Sequence, residues 1–481
     1  MTLSLKNFAA LLLTSTFLMP GSAQAGDMAH MVTSKVIDGY GGEKFENLKS
    51  ITINSDLRYG WMGQGHTPHF VELEPMTKIH KFDLKNQRGS EEAWGRGGAY
   101  SERVFTDENG QTRMNFIEGT YAEDKEAGFY DHFGGEIRSI DVMVAHELMK
   151  QRNTVVYKGD KYYRGDLHHI IEFDMLGTTI EPTLFINAQT GHISLMQRDV
   201  PDYAMWSYSF DDFQKTKGIS YAGEFVLFSD NNIIEYTKSR TIMPNRVKHA
   251  AFKIERGMSP EPEAVDNSQM SVDEVAPNLF HAGQGFGYGA FVDAGDHLIA
   301  LGGYGGLKDR YEAYTKAHGE KPLRHLILTH HHSDHVASAK QALELGATLV
   351  MPATARANVN TAYGSTVPEE KLVILEDAKT TIEGVEIHMV STPHVQSYAL
   401  LYVPAAKTIF QEDLYNSTSK DSAARVTKTS LALKTQVETL GLDVEFILGA
   451  HGRKAENWSA FAAQAENPLL GHCPTRRAIC S

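Results

Sequence analysis

Between about residues 45 and 255 the apolar positions come in short runs broken by glycine- or asparagine-rich turns, the rhythm of half-buried strands. Ile51, Ile53 and Leu57 precede a turn from Gly60 to Gly65. Thr183 to Asn187 and His192 to Gln197 flank Ala188-Gln189-Thr190-Gly191 as the arms of a hairpin would, and Phe225 to Phe228 and Ile233 to Tyr236 do so around Asp230-Asn231-Asn232. One helix interrupts the pattern: Ile140, Met143, Val144 and Leu148 lie at i, i+3, i+4 and i+8, with Ser139 at the entrance. A mostly antiparallel β domain is therefore expected over residues 26–256. Residues 257–271 are proline-rich, acidic and poor in apolar side chains, as an exposed connection would be. Beyond them strands alternate with helical segments: Leu298 to Leu301, a helix up to His318, Leu326 to Leu328, a helix over Ala337 to Leu345, then Thr348 to Met351. That alternation predicts an α/β domain over residues 272–465.

The first 25 residues read as a signal peptide. Lys6 precedes an apolar stretch, Phe8 to Leu13 and, after three hydroxyl residues, Phe17 to Met19, that is too short to span a bilayer, and Pro20 and Gly21 lead to the small-residue pattern Ala23-Gln24-Ala25. The expected location is a periplasm or the extracellular space, with no integral membrane segment after cleavage. In an oxidising compartment Cys473 and Cys480 could pair and close a small loop in the 466–481 tail; two free thiols are the alternative. The chain of 481 residues carries 46 basic and 60 acidic side chains, a net charge of −14, which argues against a nucleic-acid partner. Its 42% apolar and 22% charged content is that of globular domains. Histidine is frequent, at 22 positions.

The histidines matter because of where they fall. Directly after Leu326-Ile327-Leu328 comes Thr329-His330-His331-His332-Ser333-Asp334-His335, an HxHxDH motif at a strand-to-helix turn. In an extended segment His330 and His332 project to one side and can chelate one ion, while Asp334 and His335, after the chain turns, can face a second position. More candidate ligands follow later apolar runs: His394 after Val385 to Val390, Asp413 after Thr408 to Phe410, and His451 after Phe446 to Ala450. Imidazole with carboxylate suits zinc, and iron nearly as well.

These motifs, in this order, resemble those of the metallo-β-lactamase superfamily over roughly residues 272–465. The resemblance implies a four-layer αβ/βα sandwich with two metal ions on one edge. His330, His332 and His394 would hold the first ion, Asp334, His335 and His451 the second, and Asp413 would bridge both. His331 has no role in that scheme and is expected to face away. One departure stands out. The family's Asp-Thr-Gly turn is replaced by Ala300-Leu301-Gly302-Gly303, and loss of such a supporting aspartate would weaken metal affinity or activity about ten- to a hundredfold. The β-lactamases with a cysteine ligand do not fit, because both cysteines follow His451. The N-terminal strand rhythm is similar to that of the open half-barrels of periplasmic lipid and lipoprotein carriers, in which a curved sheet shelters an apolar cleft.

Two divalent ions about 3.5 to 4 Å apart lower the pKa of a shared water to near neutrality, so the expected activity is hydrolysis by a metal-bridging hydroxide, which Asp334 would help to orient. The substrate class would be a small-molecule ester, thioester, lactone, lactam or phosphoester. Two alternatives stay open: iron-dependent sulfur or oxygen chemistry on the same fold, and a metal-containing protein that binds a ligand without turnover. Several other features carry no functional expectation. His66 with His69, and His168 with His169, read as solvated surface. The run from Gly283 to Gly289 reads as a tight hairpin near the active-site edge, and Trp61, Trp94 and Trp206 as core or pocket lining.

Overall fold

The structure, a computed structural model, describes residues 22–68, 70–95, 100–200, 204–417, 420 and 426–466, with side chains from residue 26 onward. Residues 1–21 of the expected signal peptide, and both cysteines, lie outside these. Among the described residues no helix is long and apolar enough to cross a membrane.

The C-terminal half is built as four layers. A seven-stranded sheet runs from Ser271–Ala276 to Leu372–Leu375 and a six-stranded sheet from Lys379–Ile382 to Glu456–Asn457. Strand periodicity decides how they stack. In Leu298–Leu301, Ile299 and Leu301 join the core shared with Leu401, Phe410 and Leu448 of the other sheet, while Leu298 and Ala300 point the opposite way. There they meet Leu307 and Tyr314 of the helix Leu307–His318, Ala339 and Ala342 of Ala339–Glu344, and Val359 of Arg356–Tyr363. The second sheet repeats this: Leu400, Ile409 and Ile447 pack outward on Leu433 and Val437 of Lys428–Leu440 and Phe461 of Trp458–Ala465. Strands buried on both faces read as near-continuous apolar runs, which is why their bounds were visible in the sequence. The arrangement is the αβ/βα sandwich that the motifs imply.

The N-terminal half is one 14-stranded sheet. Its neighbours pair antiparallel throughout, apart from the short Ser259–Pro260, which adds parallel to Thr120–Asp124 from within the stretch expected as a free linker. The sheet is open, with Ser259–Pro260 at one edge and Val156–Tyr163 at the other. Both expected hairpins form, as Thr183–Asn187 with Ile193–Val200 and Ile219–Ser229 with Asn232–Pro244. The expected helix is Asp141–Lys150, and every residue from Asp141 to Leu148 is buried. With Ser22–Tyr40 and Phe129–Glu136 it packs on one face of the sheet, where Val36, Tyr40, Phe133, Val144 and Leu148 join Phe82, Ile186 and Phe225 in a single core. The chain's own helices thus fill the position where an apolar cleft was expected.

Candidate metal centre

Each of the seven expected ligands stands just past the C-terminal end of a strand: His330, His332, Asp334 and His335 after Leu323–Ile327, His394 after Val385–Val390, Asp413 after Thr408–Gln411 and His451 after Phe446–Gly449. Beyond the ladder, polar side chains can converge without leaving unpaired groups inside the sheets. The structure brings all seven together. The ligand atoms of His330, His332, His394 and Asp413 lie within 4.8 Å of one another, and so do those of Asp334, His335 and His451. Asp413 joins the two groups. Its Oδ2 is 3.2 Å from His330 Nε2, 3.5 Å from His332 Nδ1 and 2.9 Å from His394 Nε2, while its Oδ1 is 2.9 Å from Nε2 of both His335 and His451.

The other nitrogen of four rings is already engaged. His330 Nδ1 donates to the Thr329 hydroxyl (2.8 Å), His332 Nε2 to the Gly65 carbonyl (3.1 Å) and His451 Nδ1 to the Phe286 carbonyl (3.0 Å), and His335 Nδ1 lies 2.9 Å from Glu412 Oε1. That leaves Nε2, Nδ1, Nε2 and Nε2, respectively, to face Asp413. Among the described residues, His330 Nε2 and His332 Nδ1 are buried without a hydrogen-bond partner. Buried lone pairs converging on one carboxylate, with tautomers set from behind, fit a borderline divalent cation such as zinc.

Glu412, absent from the sequence expectations, places a carboxylate at the turn that lacks the aspartate. It is fully buried. Its Oε2 accepts from the Thr329 hydroxyl, and its Oε1 accepts from the Gly303 backbone N–H at 3.0 Å. Gly303 belongs to the very turn that lacks the aspartate, so a carboxylate sits beneath the cluster after all, supplied by a different strand end. The turn must be glycine: at Gly302 (φ 86°) a Cβ would lie 2.6 Å from the Phe410 ring and 3.0 Å from Glu412 Oε1, and at Gly303 one would lie 2.2 Å from the His335 carbonyl oxygen. Through Thr329 and directly, Glu412 touches one histidine of each group. Only its position beside Asp413 in the sequence hinted at this.

The charges within the cluster compensate one another. Burial alone would raise the Asp413 carboxyl, but the surrounding imidazoles, His335 foremost, hold it well below the usual range. Burial disfavours the His335 cation, yet Asp413 and then Glu412 outweigh it and hold that imidazole well above its ordinary value. For His330 burial wins, and the ring is kept neutral. A metal would therefore displace a proton on binding. Exposure shows which side is open: the side chains of Asp334 and His394 are 40% and 22% exposed, those of His330, His332 and His335 at most 1%.

Of the other histidines singled out in the sequence, His331 faces away from the ligands as expected, whereas His66, His168 and His169 are not the solvated surface expected of them. His331 is buried and faces neither ligand group; its Nε2 donates to the Gly65 carbonyl at 2.9 Å, and burial, then His332, push its pKa down to about 4. His66 is not solvated surface: its Nε2 donates to the Thr392 carbonyl at 3.1 Å, two residues from His394. His69 lies outside the described residues. His168 and His169 are buried, bonded to Ser194 (2.9 Å) and Asp160 (2.6 Å), and belong to neither group. The expected hairpin forms as Leu279–Gln284 and Gly287–Asp293, and the Phe286 ring at its tip stacks on His451 with centroids 4.2 Å apart. Trp94 is buried, whereas Trp61 is 46% exposed.

No family model matches the chain, and no curated protein matches it in sequence. Among solved structures, a metallo-β-lactamase from Hirschia baltica is 16% identical with a TM-score of 0.34, covering 41% of this chain and 96% of its own. A metallo-β-lactamase from Pontibacter korlensis is 13% identical with a TM-score of 0.34, covering 43% and 100%. The metallo-β-lactamase FIM-1 from Pseudomonas aeruginosa, in a mono-zinc form, is 16% identical with a TM-score of 0.33, covering 43% and 96%.

Proposed function

We propose that the protein is an exported, binuclear metal-dependent hydrolase of the metallo-β-lactamase superfamily, using zinc and acting on a small-molecule ester, thioester, lactone, lactam or phosphoester. The observation that carries this reading is the division of Asp413, one oxygen facing three imidazoles and the other facing two. Bound ions would supply Lewis acidity and a nucleophile available at neutral pH. The chain's own groups do the rest. His330, His332 and His394 form one face of the pocket, and Asp334 with His335 and His451 the other. Asp334, the most exposed of the seven, can take up the proton released on attack and orient the incoming nucleophile. Phe286, 57% exposed against His451, gives the mouth an apolar wall on which the non-reacting part of a substrate can lie.

The test is elemental analysis of the purified protein, with a panel of chromogenic lactam, ester, thioester and phosphodiester substrates assayed before and after His332→Ala. About two zinc per chain, and hydrolysis falling more than about a hundredfold in the variant, is the expected outcome. Equal hydrolysis by the variant would remove the hydrolase reading, and iron in place of zinc would redirect it to redox chemistry. Export is checked separately, by N-terminal sequencing of the mature protein: a start at Gly26 is expected, and an intact Met1 in the fractionated product contradicts it.

A further inference from the structure

The loop joining Ser50–Tyr59 to Glu74–Asp83 leaves the N-terminal sheet and runs onto the HxHxDH turn. Four consecutive residues bond there. The Gly63 carbonyl accepts from the Ser333 backbone N–H (3.1 Å), and Gln64 Nε2 donates to Asp334 Oδ1 (2.6 Å) and Ser333 Oγ (3.3 Å). The Gly65 carbonyl accepts from both His331 Nε2 (2.9 Å) and His332 Nε2 (3.1 Å). His66 donates through Nε2 to the Thr392 carbonyl (3.1 Å) and accepts at its own carbonyl from the Gln396 N–H (3.0 Å), on either side of His394. The approach is close enough to require glycine at position 63, where φ is 67° and a Cβ would lie 3.1 Å from Ser333 Cβ.

We propose that the N-terminal domain completes the metal centre: Gln64 is the positioning residue for Asp334, and the Gly65 carbonyl fixes His332, so one loop holds a ligand of each group. The division of labour is visible at the atoms. Asp334 Oδ2 points at the second group, 3.3 Å from His335 Nε2, while Oδ1 is turned away into the Gln64 amide. Asp334 is also the most exposed ligand, so the hydrogen bond removes rotamers that the core does not. The donor is neutral, which orients the carboxylate without supplying a cation that would compete with a metal. At His332 the carbonyl accepts from Nε2–H and thereby commits Nδ1 to the ligand side.

The inference rests on the metal-site reading above, and the experiment separates the two. Zinc is titrated in competition with a chromophoric chelator into the full-length wild type, Gln64→Ala and Gln64→Met, the last keeping length without a donor. Cobalt(II) spectra are recorded on all three. In both variants the second equivalent should bind about ten- to a hundredfold more weakly, with altered cobalt bands, and the first as in the wild type. Binding is reciprocal, so zinc should also slow hydrogen exchange of the 61–67 amides in the wild type, a measurement that needs no variant to fold. Wild-type affinity and spectrum in Gln64→Met, or loop exchange indifferent to zinc, overturns the proposal. A wild type that binds no zinc overturns the reading beneath it instead.

Discussion

Each domain buries a cluster of histidine and carboxylate, and the two are built to opposite ends. In the N-terminal domain His80, Glu91 and Glu136 place their ligand atoms within 4.8 Å of one another, as a metal site would. That cluster contains its own cation. Lys78 Nζ is 2.7 Å from Glu136 and 3.3 Å from Glu91, and His132 Nε2 is 2.9 Å from Glu91. Burial works against every charge there, but mutual attraction prevails: Lys78 is held well above its usual pKa, chiefly by Glu136, and both carboxyls are held below theirs. In the C-terminal cluster no lysine or arginine approaches Asp413 among the described contacts, and two of the buried nitrogens facing it, His330 Nε2 and His332 Nδ1, have no hydrogen-bond partner. The ingredients are alike; what separates a structural network from a metal site is whether the charge is already balanced.

The comparison breaks most readily at Lys78. Lys78→Met should leave Glu91 and Glu136 without their cation and cost about 3 kcal/mol or more by urea denaturation, with zinc content unchanged. Zinc lost in parallel with stability would show that the two clusters are not independent. Beside that network, Glu235 is buried and forms no ion pair among the described residues. Burial foremost, opposed by Lys78 and reinforced by Glu136, raises its pKa from 4.5 to about 7. The folded state therefore holds this proton more tightly than the unfolded chain. Its contribution to stability is full below about pH 4.5 and is lost as pH rises to about 7, a change of up to about 3 kcal/mol. Glu235→Gln should flatten stability over that window, and an unchanged slope would contradict the assignment. At the other cluster, Glu412→Gln should weaken zinc binding about ten- to a hundredfold in a chelator competition and cost about 1 to 3 kcal/mol of stability. The amide can accept only through one of its two ends, so either the Thr329 hydroxyl or the Gly303 N–H with the His335 ring would meet a donor instead of an oxygen. Wild-type affinity there would show that the buried carboxylate does not set the ligands.

The sequence alone determined that the C-terminal half is α/β and where its candidate ligands stand, because both depend on local pattern, while the four-layer sandwich and the sharing of seven ligands between two ions came from the resemblance those motifs carry. Leu298 to Leu301 is apolar throughout and Val385 to Val390 carries only Glu386 and His388 among apolar residues, each expected ligand follows a largely apolar run, and these two strands have the bounds of their runs. What lies behind those ligands was not legible. Glu412, Thr329, Gln64 and Gly65 act through contacts between segments up to 270 residues apart, and the glycine-rich turn at 60–65 looked like any hairpin connection. The order of the 14 strands, with Ser50–Tyr59 between Glu74–Asp83 and Asn232–Pro244, was equally hidden, as was the filling of the sheet's inner face by Ser22–Tyr40. Periodicity along the chain fixes which way a side chain points, but only tertiary pairing fixes what it meets. The nitrogen each histidine offers, and whether a buried carboxylate already has its cation, were therefore settled only by tertiary contacts, within one domain for most of these groups and between the two for His332.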